Sequence, residues 1–251
     1  MTVIAVLVDP PRDGLVLPRL PETSPLDAGE ATSLYRATAA DAMRAAADSG
    51  GDLLVNYRPD DLIPDDHVPE GADAEAEVRD LVADALDDDA RDDARVEVQV
   101  GSTHDARVGN TITHLLDKED AASAAILHPD APLLGRKDID SAAMKLRRSP
   151  VVLGPAQGGR VHFAGFTDPV DFTNADEPPE LGSLTARAID AGYDTDFLQH
   201  VTRVRTGDDL ATVVAEVRAR RAAGRIVPAH TAARIEELGL RVDADRELVR
   251  E

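Results

Sequence analysis

Apolar residues along this chain follow two rhythms. Residues 3–8 (VIAVLV), 52–57 (DLLVNY), 123–128, 151–154 and 161–166 are short apolar runs rich in Val, Ile and Leu. Such runs suit strands covered on both faces. Residues 95–100 alternate as RVEVQV and read as a further strand, and 198–205 reads as the last one. Between them the period becomes helical. Residues 24–48 carry Ala31, Leu34, Tyr35, Thr38, Ala42 and Met43 on one stripe. That helix is expected to start at Ser24-Pro25, an N-cap hydroxyl followed by proline at the first helical position, and to stop at Ser49-Gly50-Gly51. Residues 74–90 set Val78, Leu81, Val82 and Leu86 on one face. Residues 108–116, 136–147, 182–192, 208–222 and 231–238 complete the helices. Strands alternating with helices predict a three-layer α/β/α sandwich with a mostly parallel sheet. The expected division is one α/β domain over 1–223 and a helical tail over 224–251.

Composition sharpens this picture. Aromatic residues are only 3% of the 251 positions, so the core must be built from Ala, Val, Leu and Ile. Against 27 Lys+Arg stand 48 Asp+Glu, a formal charge of −21. Such a surface repels nucleic-acid phosphates and anionic membranes, and neither is expected as a partner. The acids occur in nearly every segment, which favours a salt-adapted, halophilic surface over a cation-binding face. Asp87, Asp88, Asp89, Asp92 and Asp93 read in the same way, as a solvated helix end. With no cysteine there is neither disulfide nor thiolate chemistry. No run has the length of a membrane span, and the first apolar run lacks the basic flank of a signal peptide, so a cytoplasmic protein is expected.

Candidate chemistry lies at strand ends, because open α/β sheets bind ligands outside the carboxyl ends of their strands. The run at 123–128 leads into His128-Pro129-Asp130-Ala131-Pro132, and the run at 151–154 into Gly154-Pro155-Ala156-Gln157-Gly158-Gly159. Asp130 is placed either to hold a divalent cation on phosphate oxygens or to cap a turn. The glycine-rich stretch is either a close backbone approach to a ligand or an ordinary strand connection. Arg19 is either a bidentate phosphate contact or a surface residue. Lys137, Lys145, Arg147 and Arg148 either complement a helix dipole or line an anion rim. Neither G-x-G-x-x-G after the first strand nor G-x-x-x-x-G-K-[ST] is present, which disfavours a dehydrogenase and a P-loop NTPase. His128, His162 and His200 lack zinc spacing, and Ser102-Thr103-His104-Asp105 makes no triad by adjacency alone.

Several stretches together carry a resemblance. ILHPDAPLL is similar to a family strand ending Gly-Ser-Asp-x-Pro-x-Leu, with Asp130 at the acid. VVLGPAQGGRVHFAGF is similar to Val-x-Leu-Gly-Pro-Ala-x-Asp-Gly-Gly-Tyr. GLVLPRLPETSPLDAGEATSLYRATAADAM resembles a Lys-Thr-Arg-Leu segment and its following helix. QVGSTHDARVGN resembles Gln-x-Gly-x-Leu-Gly-x-Arg, with Arg107 at the basic position, and VTRVRTGDDL resembles Asp-x-Asp-Thr-x-x-Asp-Leu. Over about residues 3–210 the chain resembles the radical-SAM/selenodomain-associated transferases, as a divergent, haloarchaeal-like member. That family lies within the nucleotide-diphospho-sugar transferase, or type A glycosyltransferase, fold. The resemblance implies a glycosyl- or nucleotidyltransferase that binds a nucleotide-sugar or nucleoside triphosphate with Mg²⁺ or Mn²⁺. It implies nucleotide or phosphate contacts at Arg19, Arg107, Gly154, Pro155, Gly158 and Gly159, and a metal at Asp130. Leu17 stands at the family lysine, Gly158 at an acid, Arg160 at the second glycine, and Arg203 and Arg205 at the paired acids. These departures imply the alternative of a degenerate member that binds a ligand or partner without turnover.

Overall fold

A computed structural model describes residues 1–251. The strands are β1 (Thr2–Val8), β2 (Asp52–Tyr57), β3 (Arg95–Val98), β4 (Ser123–Leu127), β5 (Val151–Pro155), β6 (Val161–Phe166), β7 (Thr195–Phe197), β8 (Leu240–Val242) and β9 (Leu248–Arg250). The helices are α1 (Leu20–Thr23), α2 (Ala28–Ala47), α3 (Ala74–Ala85), α4 (Asp88–Asp93), α5 (His104–Asp117), α6 (Arg136–Lys145), α7 (Glu180–Asp190), α8 (Gly207–Ala222) and α9 (Ala229–Glu237). Seven strands form one sheet in the order β3-β2-β1-β4-β6-β5-β7. All are parallel except β6, which runs antiparallel to both β4 and β5. The expected mostly parallel sandwich is therefore the fold. The reversal at β6 follows from its connection: the five residues between β5 and β6 are too few for a parallel crossover.

The apolar runs are continuous because both faces of the sheet are covered. Ile4, Val6 and Val8 of β1 face the core shared with α2, α3 and α8, while Val3, Ala5 and Leu7 face the core shared with α5 and α7. The stripe expected on α2 is buried at all six positions. Ala232, Ile235 and Leu240 from the last 28 residues join the first of these cores. Asp41 of α2 also caps α9, accepting from the backbone N–H of His230 at 3.1 Å and of Thr231 at 2.7 Å.

Several boundaries differ from expectation. The helix expected from Ser24 begins at Ala28, because Asp27 and Glu30 form a reciprocal capping box. Ser24 belongs to the preceding turn, where its hydroxyl donates to Leu20 O at 2.6 Å. The helix expected over 74–90 breaks at Leu86, which turns extended and stays buried, and Asp87 caps a new helix through Ala90 N–H. The helix expected from 108 starts at His104, capped by Thr103. Residues 198–205 do not form the expected strand. Their backbone crosses the carboxyl edge of the sheet, with Leu198 N–H on Leu153 O, Val201 N–H on Pro155 O and Val204 N–H on Asp130 O. At the end of β3 the alternation departs from expectation: Val96 packs against the core, but Gln99, just past the strand, is buried, and Val98 and Val100 are exposed. The β8–β9 hairpin was not visible in the periodicity.

Candidate functional site

The carboxyl ends of β1, β2 and β4 open into a cleft of about 520 Å³. In a chain of charge −21 its lining is basic: Arg19, Arg58, Arg107, Arg160, Arg203 and Arg205 against Asp9, Asp130, Asp176 and Glu180. The wall over β4 is internally paired. Asp130, 4% exposed, receives Arg203 Nε at 2.7 Å and Nη2 at 3.1 Å, a bidentate fork. The remaining Arg203 Nη1 donates to Val161 O at 2.7 Å. Burial alone would raise the Asp130 carboxyl, but the Arg203 charge and fork outweigh it and hold Asp130 below the usual carboxylate range. Arg205 stands 3.6 Å from the same carboxylate with its side chain 47% exposed to the cleft.

Gln157 fixes this wall. Its side-chain amide donates to Arg203 O at 2.5 Å and Asp209 Oδ1 at 2.6 Å, and its Oε1 accepts from Arg203 N–H at 3.1 Å. Asp209 also accepts from the backbone of Arg205 and Thr206 at 3.0 Å each, and from Arg160 Nη1 at 3.3 Å. The glycine-rich turn is thereby tied to the start of α8. Gly158 and Gly159 adopt φ of 69° and 76° and line the cleft. Gly154 has a different constraint: a Cβ there would enter the His162 ring packed behind it. Burial lowers that ring's pKa to about 4, so His162 is neutral at pH 7.

The wall over β1 and β2 is organised differently. Asp9 directly follows β1, and burial raises its carboxyl against the opposing charges of Arg58, Arg107 and Arg205. Tyr35 of α2 holds the backbone of Asp9, its hydroxyl accepting from N–H at 2.9 Å and donating to O at 3.2 Å. The following loop is fastened by Arg12, which donates to Glu77, to Asp60 at 2.6 Å and to His67 O at 3.1 Å. In that loop Leu17 has φ of 45° although it is not glycine. Gln99 donates to Asn56 O at 2.7 Å and accepts from Arg107 Nε at 2.8 Å. His104 and His128 lie with ring centroids 5.9 Å apart. Burial, then the neighbouring His128, lowers His104 to about 3, so it is neutral at pH 7.

Of the residues expected at the site, the cleft gathers Arg19, Arg107, Asp130, Gly158 and Gly159, and leaves Gly154 and Pro155 out of its lining. The α6 lysines and arginines lie outside it, and Lys145 pairs with Asp196 at 2.7 Å. Asp9, Tyr35, Arg58, Gln99, His104 and Glu180 were missed. Asp9 had a usable signal, being the first polar residue after a buried run, as Asp130 nearly is. No three His, Asp or Glu side chains converge as a metal-binding group. With both Asp130 oxygens engaged by Arg203, this donor set does not fit a bound Mg²⁺ or Mn²⁺ unless the guanidinium first lets go.

The architecture is that of the nucleotide-diphospho-sugar transferase fold. A provisional nucleotide-diphospho-sugar transferase from Desulfovibrio desulfuricans G20 superposes with a TM-score of 0.72 over 94% of both chains at 20% identity. A 4-diphosphocytidyl-2C-methyl-D-erythritol synthase from Anaerococcus prevotii DSM 20548 gives 0.50 at 11% identity, covering 86% of this chain and 96% of its own. A cytidylyltransferase from Leptospira borgpetersenii serovar Hardjo-bovis (strain JB197) gives 0.50 at 10% identity over 94% of both chains. No protein-family model matches the chain, and no curated protein matches it in sequence. No helix is long and apolar enough to cross a membrane.

Proposed function

We propose that the protein is a nucleotide-dependent transferase, moving a glycosyl or nucleotidyl group, and that arginines take the diphosphate charge. The observation that carries this reading is the arginine-lined cleft at the carboxyl ends of β1 and β4, in a chain otherwise strongly acidic. The neighbours in fold, by their descriptions, include a provisional nucleotide-diphospho-sugar transferase and two cytidylyl-handling enzymes. The quoted motifs support a place beside the radical-SAM/selenodomain-associated transferases. In this reading Arg19 and Arg205 donate to phosphate oxygens, and the turn at Gly158 and Gly159 lets a ligand approach the backbone. Asp130 holds Arg203 in place and is not assigned a cation. Rate acceleration comes from positioning and from guanidinium charge already oriented toward the charge that develops on the leaving phosphate.

A second reading, ligand binding without turnover, is favoured by one observation: the Asp130–Arg203 fork closes the carboxylate on which metal-using catalysis would depend. The test is a thermal-shift screen in molar KCl against nucleoside triphosphates and nucleotide-sugars, with and without Mg²⁺ or Mn²⁺. Ligands of the native state raise its melting temperature. The expected result is a metal-independent shift, lost in Arg19→Ala and Arg205→Ala. Donor hydrolysis or transfer by the same protein separates the first reading from the second. A flat screen on folded protein overturns both.

A further inference from the structure

Among the three buried arginines, Arg107 is the one without a hydrogen-bonded carboxylate. It is 8% exposed, yet its one side-chain partner is the neutral amide of Gln99. Its two Nη groups donate to no protein acceptor, and the side chain lines the cleft. Arg12 and Arg203, the other buried arginines, are both forked onto carboxylates. Asp9, Asp105 and Asp176 act on Arg107 through space, but none is hydrogen-bonded to it, so its Nη donors stay free for an acceptor that enters the cleft. The burial of Asp9 favours its neutral carboxyl.

The guanidinium is held from behind with some care. Gln99 bonds the carbonyls of Asn56 and Val8, at 2.7 and 3.4 Å, while its Oε1 takes Arg107 Nε. Asn56 in turn accepts from Thr111 Oγ1 of α5 at 2.9 Å and donates to Glu97 O at 3.1 Å. Gly101, at φ 136°, lets the first turn of α5 pack close, for a Cβ would sit 2.9 Å from Arg107 N. Strand, loop and helix together point one edge of a planar fork into the cleft. That edge offers donors only, in the geometry that matches two oxygens of a carboxylate or phosphate.

This fork stands above β1 and β2, whereas the Asp130–Arg203–Arg205 group stands above β4 and β6. At roughly 5 Å per strand the two are on the order of 10 Å apart. We propose that Arg107 is the floor of a second anion subsite, which takes a carboxylate or phosphate of the acceptor while Arg19 and Arg205 hold the donor diphosphate. The acceptor is then itself an acid. The assignment to an acceptor rests on the transferase reading above; the anion subsite does not.

The test is calorimetry on the full chain with inorganic phosphate, succinate, the neutral nucleosides guanosine and cytidine, and a panel of nucleoside diphosphates. Phosphate is expected at two sites in the wild-type protein and one in Arg107→Gln. Succinate affinity should fall at least tenfold in Arg107→Gln and less in Arg107→Lys, which keeps the charge and loses the fork. Diphosphate binding should stay within twofold in both variants and fall in Arg205→Ala. Because only one hydrogen bond to a neutral amide is being removed, Arg107→Gln without ligand should melt within a few degrees of wild type. Anion binding unchanged in Arg107→Gln overturns the subsite, and intact diphosphate binding then leaves the transferase reading standing. Guanosine or cytidine binding lost in Arg107→Gln, with anions unaffected, also overturns it, because the fork would be reading a base edge. A severe loss of stability does the same, by making the guanidinium a structural member. If phosphate binding needs Arg107 while no diphosphate binds, the subsite stands and the transferase reading falls.

Discussion

The two walls of the cleft use the same residue types to opposite ends. Over β4 and β6, Asp130 and Arg203 form a closed bidentate pair, and Gln157 and Asp209 saturate what surrounds it. Over β1 and β2, Arg107 is fixed by Gln99 but leaves its donors open, and Asp9 and Arg58 approach only to 3.7 Å. Arginine count alone therefore says little about ligand binding. What matters is which guanidinium edges the fold has already occupied. The closed wall should behave as structure and the open wall as binding surface.

The largest expected contrast is in stability. Asp130→Ala removes the bidentate partner of the buried Arg203, leaving it only Glu180 at 3.6 Å, and should cost about 3–5 kcal/mol in urea unfolding, whereas the double variant Asp130→Leu/Arg203→Met should restore most of it. If Asp130→Ala is as mild as Arg107→Gln, the distinction between the walls is wrong.

Acid should weaken the closed side next. His162 has its folded pKa lowered from 6.5 to about 4, so the unfolded chain binds the proton more readily. The stability this contributes is complete above pH 6.5 and is lost as pH falls toward 4, on the order of 3 kcal/mol. The lowered carboxyl of Asp130 extends the loss in the same direction below pH 3.8. Chemical denaturation at pH 7.5 and 4.5 measures the slope, which His162→Asn should reduce in part and His162→Asn with His104→Asn reduce further, because His104, lowered to about 3, acts in the same direction.

A smaller effect belongs to Gly154. A Cβ there meets the His162 ring, so Gly154→Ala should cost about 1–3 kcal/mol through overpacking, with nucleotide binding retained by the folded fraction. Loss of binding at unchanged stability would instead make Gly154 a ligand contact. The smallest change in free energy is expected at Arg205, half-exposed at the mouth of the closed wall. Arg205→Ala should weaken nucleotide binding about tenfold, or 1.4 kcal/mol, with the melting temperature unmoved. Calorimetry and a thermal melt on the same sample check both halves.

The apolar runs and helical stripes were enough to specify the layered sheet, because strands buried on both faces must be apolar throughout and helices on either face must show a stripe. Asp130, Arg19 and Arg107 were also legible, as polar residues beside strand ends or in quoted motifs. Pairing was not. The direction of β6, the crossing path of residues 198–205, the fork of Arg203 onto Asp130 across 73 positions and the seat of His162 behind Gly154 all join segments far apart in the chain. Local composition sets which residues are buried or charged. Only tertiary contact decides whether a buried charge has a partner, and that separates the closed wall of this cleft from the open one.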